Sequence, residues 1–110
     1  MAYDEDLADR IRALIGAEPG LSEKRMFGGL AFLVNGNMSV SASGQGGLLL
    51  RADPARSAEY LAEPGVSLAV MGGREMAGWL RVDSGTVAAD EALHRWVAVG
   101  VAYARTLPSK

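Results

Sequence analysis

Lys24–Ala42, KRMFGGLAFLVNGNMSVSA, is the stretch on which the fold turns. It reads as a strand entering a Gly28-Gly29 bend, followed by a β-hairpin. Asn35-Gly36 is a strong hairpin signal, because both residues tolerate the positive φ that tight turns need. Two registers compete. A two-residue loop sets Leu33 opposite Met38 and Phe32 opposite Ser39. A three-residue loop, Asn35-Gly36-Asn37, sets Val34 opposite Met38, Phe32 opposite Val40 and Leu30 opposite Ala42. The second register gathers these six apolar side chains on one face and leaves Ala31, Leu33, Ser39 and Ser41 on the other. One slipped residue moves every side chain to the opposite face, so burial selects the register. The expectation is the three-residue loop, with Asn37 in the left-handed region.

Working outward, Asp4–Ile15 has helical spacing, with Leu7, Ile11, Leu14 and Ile15 on one apolar face. Asp4, Glu5 and Asp6 sit where negative charge meets the positive end of the helix dipole. Gly16 suits a left-handed residue after the helix, and Pro19-Gly20 ends the segment. Ser22–Phe27 reads as the first strand. After the hairpin come a loose glycine loop at 44–47 and a strand over Leu48–Ala52. The apolar run Leu48, Leu49 and Leu50 points to burial on both faces.

Asp53-Pro54 has the side-chain cap and first-turn proline of a helix start. That helix is short and stops before Pro64-Gly65. Val66–Met71 and Met76–Val82 alternate as strands around a turn at Gly72-Gly73-Arg74-Glu75. Asp90 is the expected cap of a last helix reaching about Thr106, with Leu93, Trp96, Val97, Gly100, Val101 and Ala104 on one stripe. Glycine inside a helix costs about 1 kcal/mol relative to alanine, so Gly100 predicts another element in close approach. The order is α-β-β-β-β-α-β-β-α. It predicts an α+β fold, a mainly antiparallel sheet with helices packed on one face.

The 110 residues suit one domain spanning the whole chain, 49% hydrophobic and 22% charged. No cysteine is present, which excludes disulfides, thiolate nucleophiles and Cys-ligated zinc. The acidic start MAYDEDLADR has no secretory pattern, and no apolar run approaches the roughly 20 residues of a membrane span. The cytoplasm is the expected location. A net charge of −2 argues against binding driven by phosphate contacts.

Catalytic candidates are few. His94 is the only histidine and lies on the last helix. The acidic groups at 4–6 and at 83, 90 and 91 are explained by capping and helix-terminus electrostatics rather than by a metal. No phosphate-binding glycine motif occurs. No catalytic residue, metal or cofactor is therefore expected. The most suggestive set is basic and aromatic: Lys24, Arg25, Phe27, Arg51, Arg74, Trp79 and Arg81 lie on or beside strands. If they share an open sheet face, they make a surface for an anionic ligand, a nucleic acid or a protein. Glu23 and Glu75 dilute that patch, and solvated arginines on an exposed sheet are the plainer reading. Gly28, Gly29, Asn35, Gly36, Asn37, Gly72 and Gly73 are assigned to turns.

KRMFGG at 24–29, FLVNGNM at 32–38, MGGREM at 71–76 and GWLRV at 78–82 together resemble the N-terminal domain of the TfoX/Sxy family of competence regulators. The opening MAYDEDLADRIR and the closing helix, Leu93 to Thr106, extend the likeness over nearly the whole chain. The resemblance implies a two-layer α+β fold of the kind seen in secretion chaperones. It also implies a regulatory role, since full-length relatives promote transcription of DNA-uptake genes together with another transcription factor. Those relatives carry a second, helical C-terminal domain, whereas this chain stops at Lys110. The family's N-terminal domain offers no catalytic residues to carry over.

Two function classes follow. One is a non-enzymatic regulatory module acting through protein partners, which is favoured over direct nucleic-acid binding. The other is a small-ligand or nucleic-acid binder, or a cryptic enzyme, using the basic-aromatic set. Self-association into a homodimer through the open sheet face or an edge strand is a further expectation.

Overall fold

The computed structural model describes residues 3–26 and 28–109. Helix α1 (Glu5–Ile15) leads into four strands, β1 (Leu21–Met26), β2 (Gly29–Val34), β3 (Asn37–Ala42) and β4 (Leu48–Arg51). A 3₁₀ turn at Pro54–Arg56 runs into α2 (Ser57–Leu61). Strands β5 (Val66–Met71) and β6 (Arg74–Val82) form a hairpin, and α3 (Ser84–Val87) and α4 (Asp90–Thr106) complete the chain. The six strands make one antiparallel sheet in the order β1-β2-β3-β4-β6-β5. The α+β class and the element order are those the sequence predicts.

Local chemistry sets the helix starts. Asp4 accepts a hydrogen bond from the Leu7 N–H at 3.1 Å, and Asp53 accepts one from Ala55 at 2.9 Å. Asp83 accepts from Thr86 at 2.7 Å and opens the short α3. These bonds satisfy donors that a first helical turn leaves free. Two expectations are corrected. Asp90 does not cap α4; Ala89 is the cap, and the Asp90 carboxylate accepts from Arg10 of α1 at 2.8 Å. Gly16 stays right-handed, with φ −58°.

The hairpin resolves the competition between registers by using both. Asn35 (φ 53°) and Gly36 (φ 83°) form a two-residue turn whose handedness matches the strand twist. Val34 therefore faces Asn37, and Leu33 faces Met38. Continued without a break, this register would send Val40 away from the core. Ser39 is inserted as a bulge, and beyond it Phe32 pairs with Val40 and Leu30 with Ala42. The expected three-residue loop is thus a two-residue turn plus one bulged residue. Asn37 is not left-handed. It begins β3, is only 2% exposed, and donates from Nδ2 to the Pro108 carbonyl at 2.9 Å. Met38 moves to the opposite face from Phe32.

All four helices pack on one sheet face. Leu30, Phe32, Val34, Val40, Leu48, Leu50, Leu80 and Val82 from the strands meet Leu7 and Ile11 of α1, Tyr60 of α2, Val87 of α3 and Leu93, Trp96 and Val97 of α4. Trp96 is the largest fully buried side chain and stands edge-on to Tyr60, with centroids 5.5 Å apart. Gly100 lets α4 sit directly on the bulge: a Cβ there would lie 2.6 Å from the Ser39 carbonyl oxygen and 2.7 Å from Val40 Cγ1. The opposite sheet face holds a smaller apolar cluster of Ala31, Met38, Leu49 and Ala69, flanked by Met26, Leu33 and Trp79.

Candidate functional site

Strand register fixes where the basic-aromatic set lies. Residues directly opposite across an antiparallel pair share a face. Lys24, Ala31, Ser41, Leu49, Arg81 and Ser67 therefore form one row across the face away from the helices. Arg51 and Trp79 are paired on that same face. Arg51, Trp79 and Arg81 are thus brought together. Lys24 shares the face but lies four strands from Arg81, roughly 19 Å at ~4.8 Å per strand. Arg25 pairs with Leu30 on the helix side, its guanidinium 6.0 Å from the Tyr3 ring centroid. Arg74 stands exposed at the far end of β6, next to the Gly72-Gly73 turn. Phe27 lies outside the described residues. The six described members do not form one continuous patch.

The arginines that do meet are engaged with the protein itself. Arg81 donates to Ser43 Oγ at 3.1 Å and to the Gly46 carbonyl at 3.0 Å, fastening the β3–β4 turn to β6. The Arg51 guanidinium lies 5.4 Å from the Trp79 centroid and 5.8 Å from that of Tyr103 on α4. Such stacking holds a cation between two rings and links the sheet to the last helix.

A second surface, which the sequence reading did not single out, is the outer side of α4. The inner side of this helix is filled by Leu93, Trp96, Val97, Gly100, Val101 and Ala104. At 100° per residue the opposite side is centred on Arg95 and Ala102, with Glu91, Ala98 and Thr106 beside them, and both alanines are exposed. An outward helix face normally carries charge at such positions. A cleft of about 470 Å³ runs along this side, walled by Asp53, Arg56 and Tyr60 and floored by Ala98, Val99, Ala102 and Tyr103. A smaller groove of about 260 Å³ lies on the other flank, between α4 and Leu14, Ile15 and Glu18. Ala98 and Ala102 border both. His94 lines the smaller groove.

Ion pairs and arginine–aromatic stacks line the cleft walls. Arg95 grips Glu63 with two hydrogen bonds of 2.5 Å and lies 4.5 Å over the Trp96 ring. These bonds hold the Glu63 carboxyl below the usual carboxylate range and raise the pKa of Arg95. Arg56 lies 5.1 Å over Tyr60 and pairs with Glu59 at 3.2 Å. Beyond the smaller groove, Arg105 pairs with Glu18 and donates to the Pro19 carbonyl. Arg12 forks onto Glu23 at 2.7 and 2.8 Å, tying α1 to β1 and lowering the Glu23 pKa. Among the described residues, no three His, Asp or Glu side chains gather to hold a metal ion. Among them too, no helix is long and apolar enough to cross a membrane.

The fold and this surface define a two-layer α+β domain with two grooves and stacked arginine–aromatic pairs on its helical side. The family model of the TfoX N-terminal domain matches residues 13–104, and the chain belongs to that family. The matched span runs from the end of α1 to near the end of α4, so it contains the sheet and most of both grooves. No curated protein and no solved structure matches the chain. The family supports a competence-regulator-like module and is not a known enzyme family.

Proposed function

We propose that this domain is a non-enzymatic regulatory module that acts in the cytoplasm by binding a protein, and that its output is transcription of DNA-uptake genes. The observation that carries the binding reading is the pair of small exposed residues Ala98 and Ala102 on the outer side of α4, with a groove on each flank and Arg95 and Arg105, both held in ion pairs, beside them. Two small residues one helical turn apart leave room for a partner helix or an extended segment to approach α4 closely. The Arg56–Tyr60 and Arg51–Tyr103 stacks supply polar and aromatic contacts at the rim. The regulatory part of the reading comes from family membership.

The second class of reading, a nucleic-acid or small-ligand surface on the sheet, draws on the meeting of Arg51, Trp79 and Arg81. It is the weaker one, since Arg81 is committed to Ser43 and Gly46 and Arg51 to two rings. The test is transcript abundance of DNA-uptake genes after deletion of the gene and after its restoration. Transcripts that fall on deletion and recover on restoration support the proposal. Unchanged transcripts under conditions that induce uptake would refute it.

A further inference from the structure

The two edges of the sheet are built differently. Edge β1 carries Glu23, Lys24 and Arg25, charges of the kind that keep an edge from pairing. Edge β5, VSLAVM, has no charge and no proline along its whole length. Its Val70 is 56% exposed, one of two large hydrophobic side chains left in solvent among the described residues.

The hydrogen-bond phase of β5 shows which groups point outward. The Asp83 N–H donates to the Gly65 carbonyl at 2.9 Å, so Gly65 faces β6. At the other end Met71 and Arg74 are the closing pair of the Gly72-Gly73 turn, so Met71 also faces β6. Backbone groups alternate along a strand. Val66, Leu68 and Val70 therefore direct N–H and C=O away from the sheet. They also place their side chains on the helix side, since Val66 pairs with Val82 and Leu68 with Leu80. The register shift between Leu68 and Val70 adds its extra residues to β6, which leaves β5 regular.

We infer that β5 pairs antiparallel with β5 of a second copy, across a two-fold axis at Leu68, to make one continuous sheet through both chains. In that register Leu68 exchanges both backbone bonds with Leu68 of the second copy. The Val70 N–H reaches the Val66 carbonyl of the second copy, and the reverse holds by symmetry. The Val66 N–H is already turned to the Glu63 carbonyl at 3.4 Å and is not needed. Val70 of each copy then covers Val66 of the other. A second copy fits this edge better than a charged segment, because an uncharged strand meets its own uncharged image. The pairing also brings Arg74, which holds no ion pair among the described residues, to the Glu63–Gly65 turn of the second copy. This surface is separate from the α4 grooves and does not rest on the regulatory reading.

The test is sedimentation velocity of the full chain from low micromolar to near-millimolar concentration, with amide exchange read at both ends of the range. The expected result is a mass rising from 11.5 kDa toward twice that value, with Leu68 and Val70 amides protected only at high concentration. Leu68→Pro removes an outward N–H without touching a bond to β6, and Val70→Lys places a charge on the edge. Both should remain monomeric with an unchanged circular dichroism spectrum; if Leu68→Pro fails to fold, Val70→Lys alone decides. A constant monomer mass for the unaltered chain would overturn the inference. So would a dimer that survives Val70→Lys, or one whose Leu68 and Val70 amides exchange equally fast at all concentrations.

Discussion

Replacing Gly100 by alanine should destabilise this protein, although alanine is the better helix former by about 1 kcal/mol. The added methyl would sit 2.6 Å from the Ser39 carbonyl oxygen and 2.7 Å from Val40 Cγ1. The first of these is backbone in the middle of the sheet, bulged and held by the Ser39 Oγ bond to the Phe32 carbonyl at 2.7 Å. It cannot swing aside as a side chain does. Forcing a methyl into such a contact costs about 1–3 kcal/mol, and here the upper part of that range applies. Subtracting the propensity gain leaves a net loss of about 1–2 kcal/mol, or roughly 4–8 °C in Tm for a domain of this size. Urea titration followed by Trp fluorescence measures it, because Trp96 is buried one turn away. Ala98→Gly on the exposed side of the same helix is the control and should lose about 1 kcal/mol from propensity alone. If Gly100→Ala leaves the midpoint unchanged or raises it, α4 does not seat on the bulge as described.

Two further outcomes follow from the charges. Glu63 and Glu23 have pKa values lowered by Arg95 and Arg12, so their contribution is complete above the ordinary carboxylate range and is lost as pH falls through the lowered values. Arg95→Gln should flatten the acid limb of a stability–pH curve by at most about 1 kcal/mol, as befits a partly exposed pair; an acid limb identical to that of the unaltered protein would contradict the assigned cause. With Arg51 and Arg81 engaged internally and a net charge of −2, duplex and single-stranded nucleic acids should show no salt-sensitive binding in fluorescence anisotropy. An affinity that falls steeply between low and moderate salt would revive the nucleic-acid reading.

Much of the fold could be read because local signals and burial agree. Asp4, Asp53 and Pro54 start helices where capping chemistry places them, and Gly100 marks a close approach that the structure supplies. The hairpin was harder, because turn chemistry favours two residues at Asn35-Gly36 while burial of Val40 favours three. A bulge satisfies both, and no propensity announces it. Asn37 escaped for a different reason: its partner is the Pro108 carbonyl, from the other end of the chain.

The candidate site was less legible. Whether Arg81, Arg51 and Trp79 meet depends on β6 inserting between β4 and β5, a choice of sheet order that alternation does not encode. Tyr60, Arg56 and Tyr103 converge only through packing of α2 against α4. The one available signal was Ala98 and Ala102, small apolar residues on the side of α4 opposite its core stripe.

The measurement that tests the central claim most directly is transcription of DNA-uptake genes in a deletion strain carrying Ala98→Glu plus Ala102→Glu. Both positions are exposed, so the variant should fold and accumulate like the unaltered protein, which immunoblotting and circular dichroism verify. The account predicts that the unaltered gene restores the transcripts and that this folded variant does not. Full restoration by the variant would mean that the outer side of α4 is not the surface through which this domain acts.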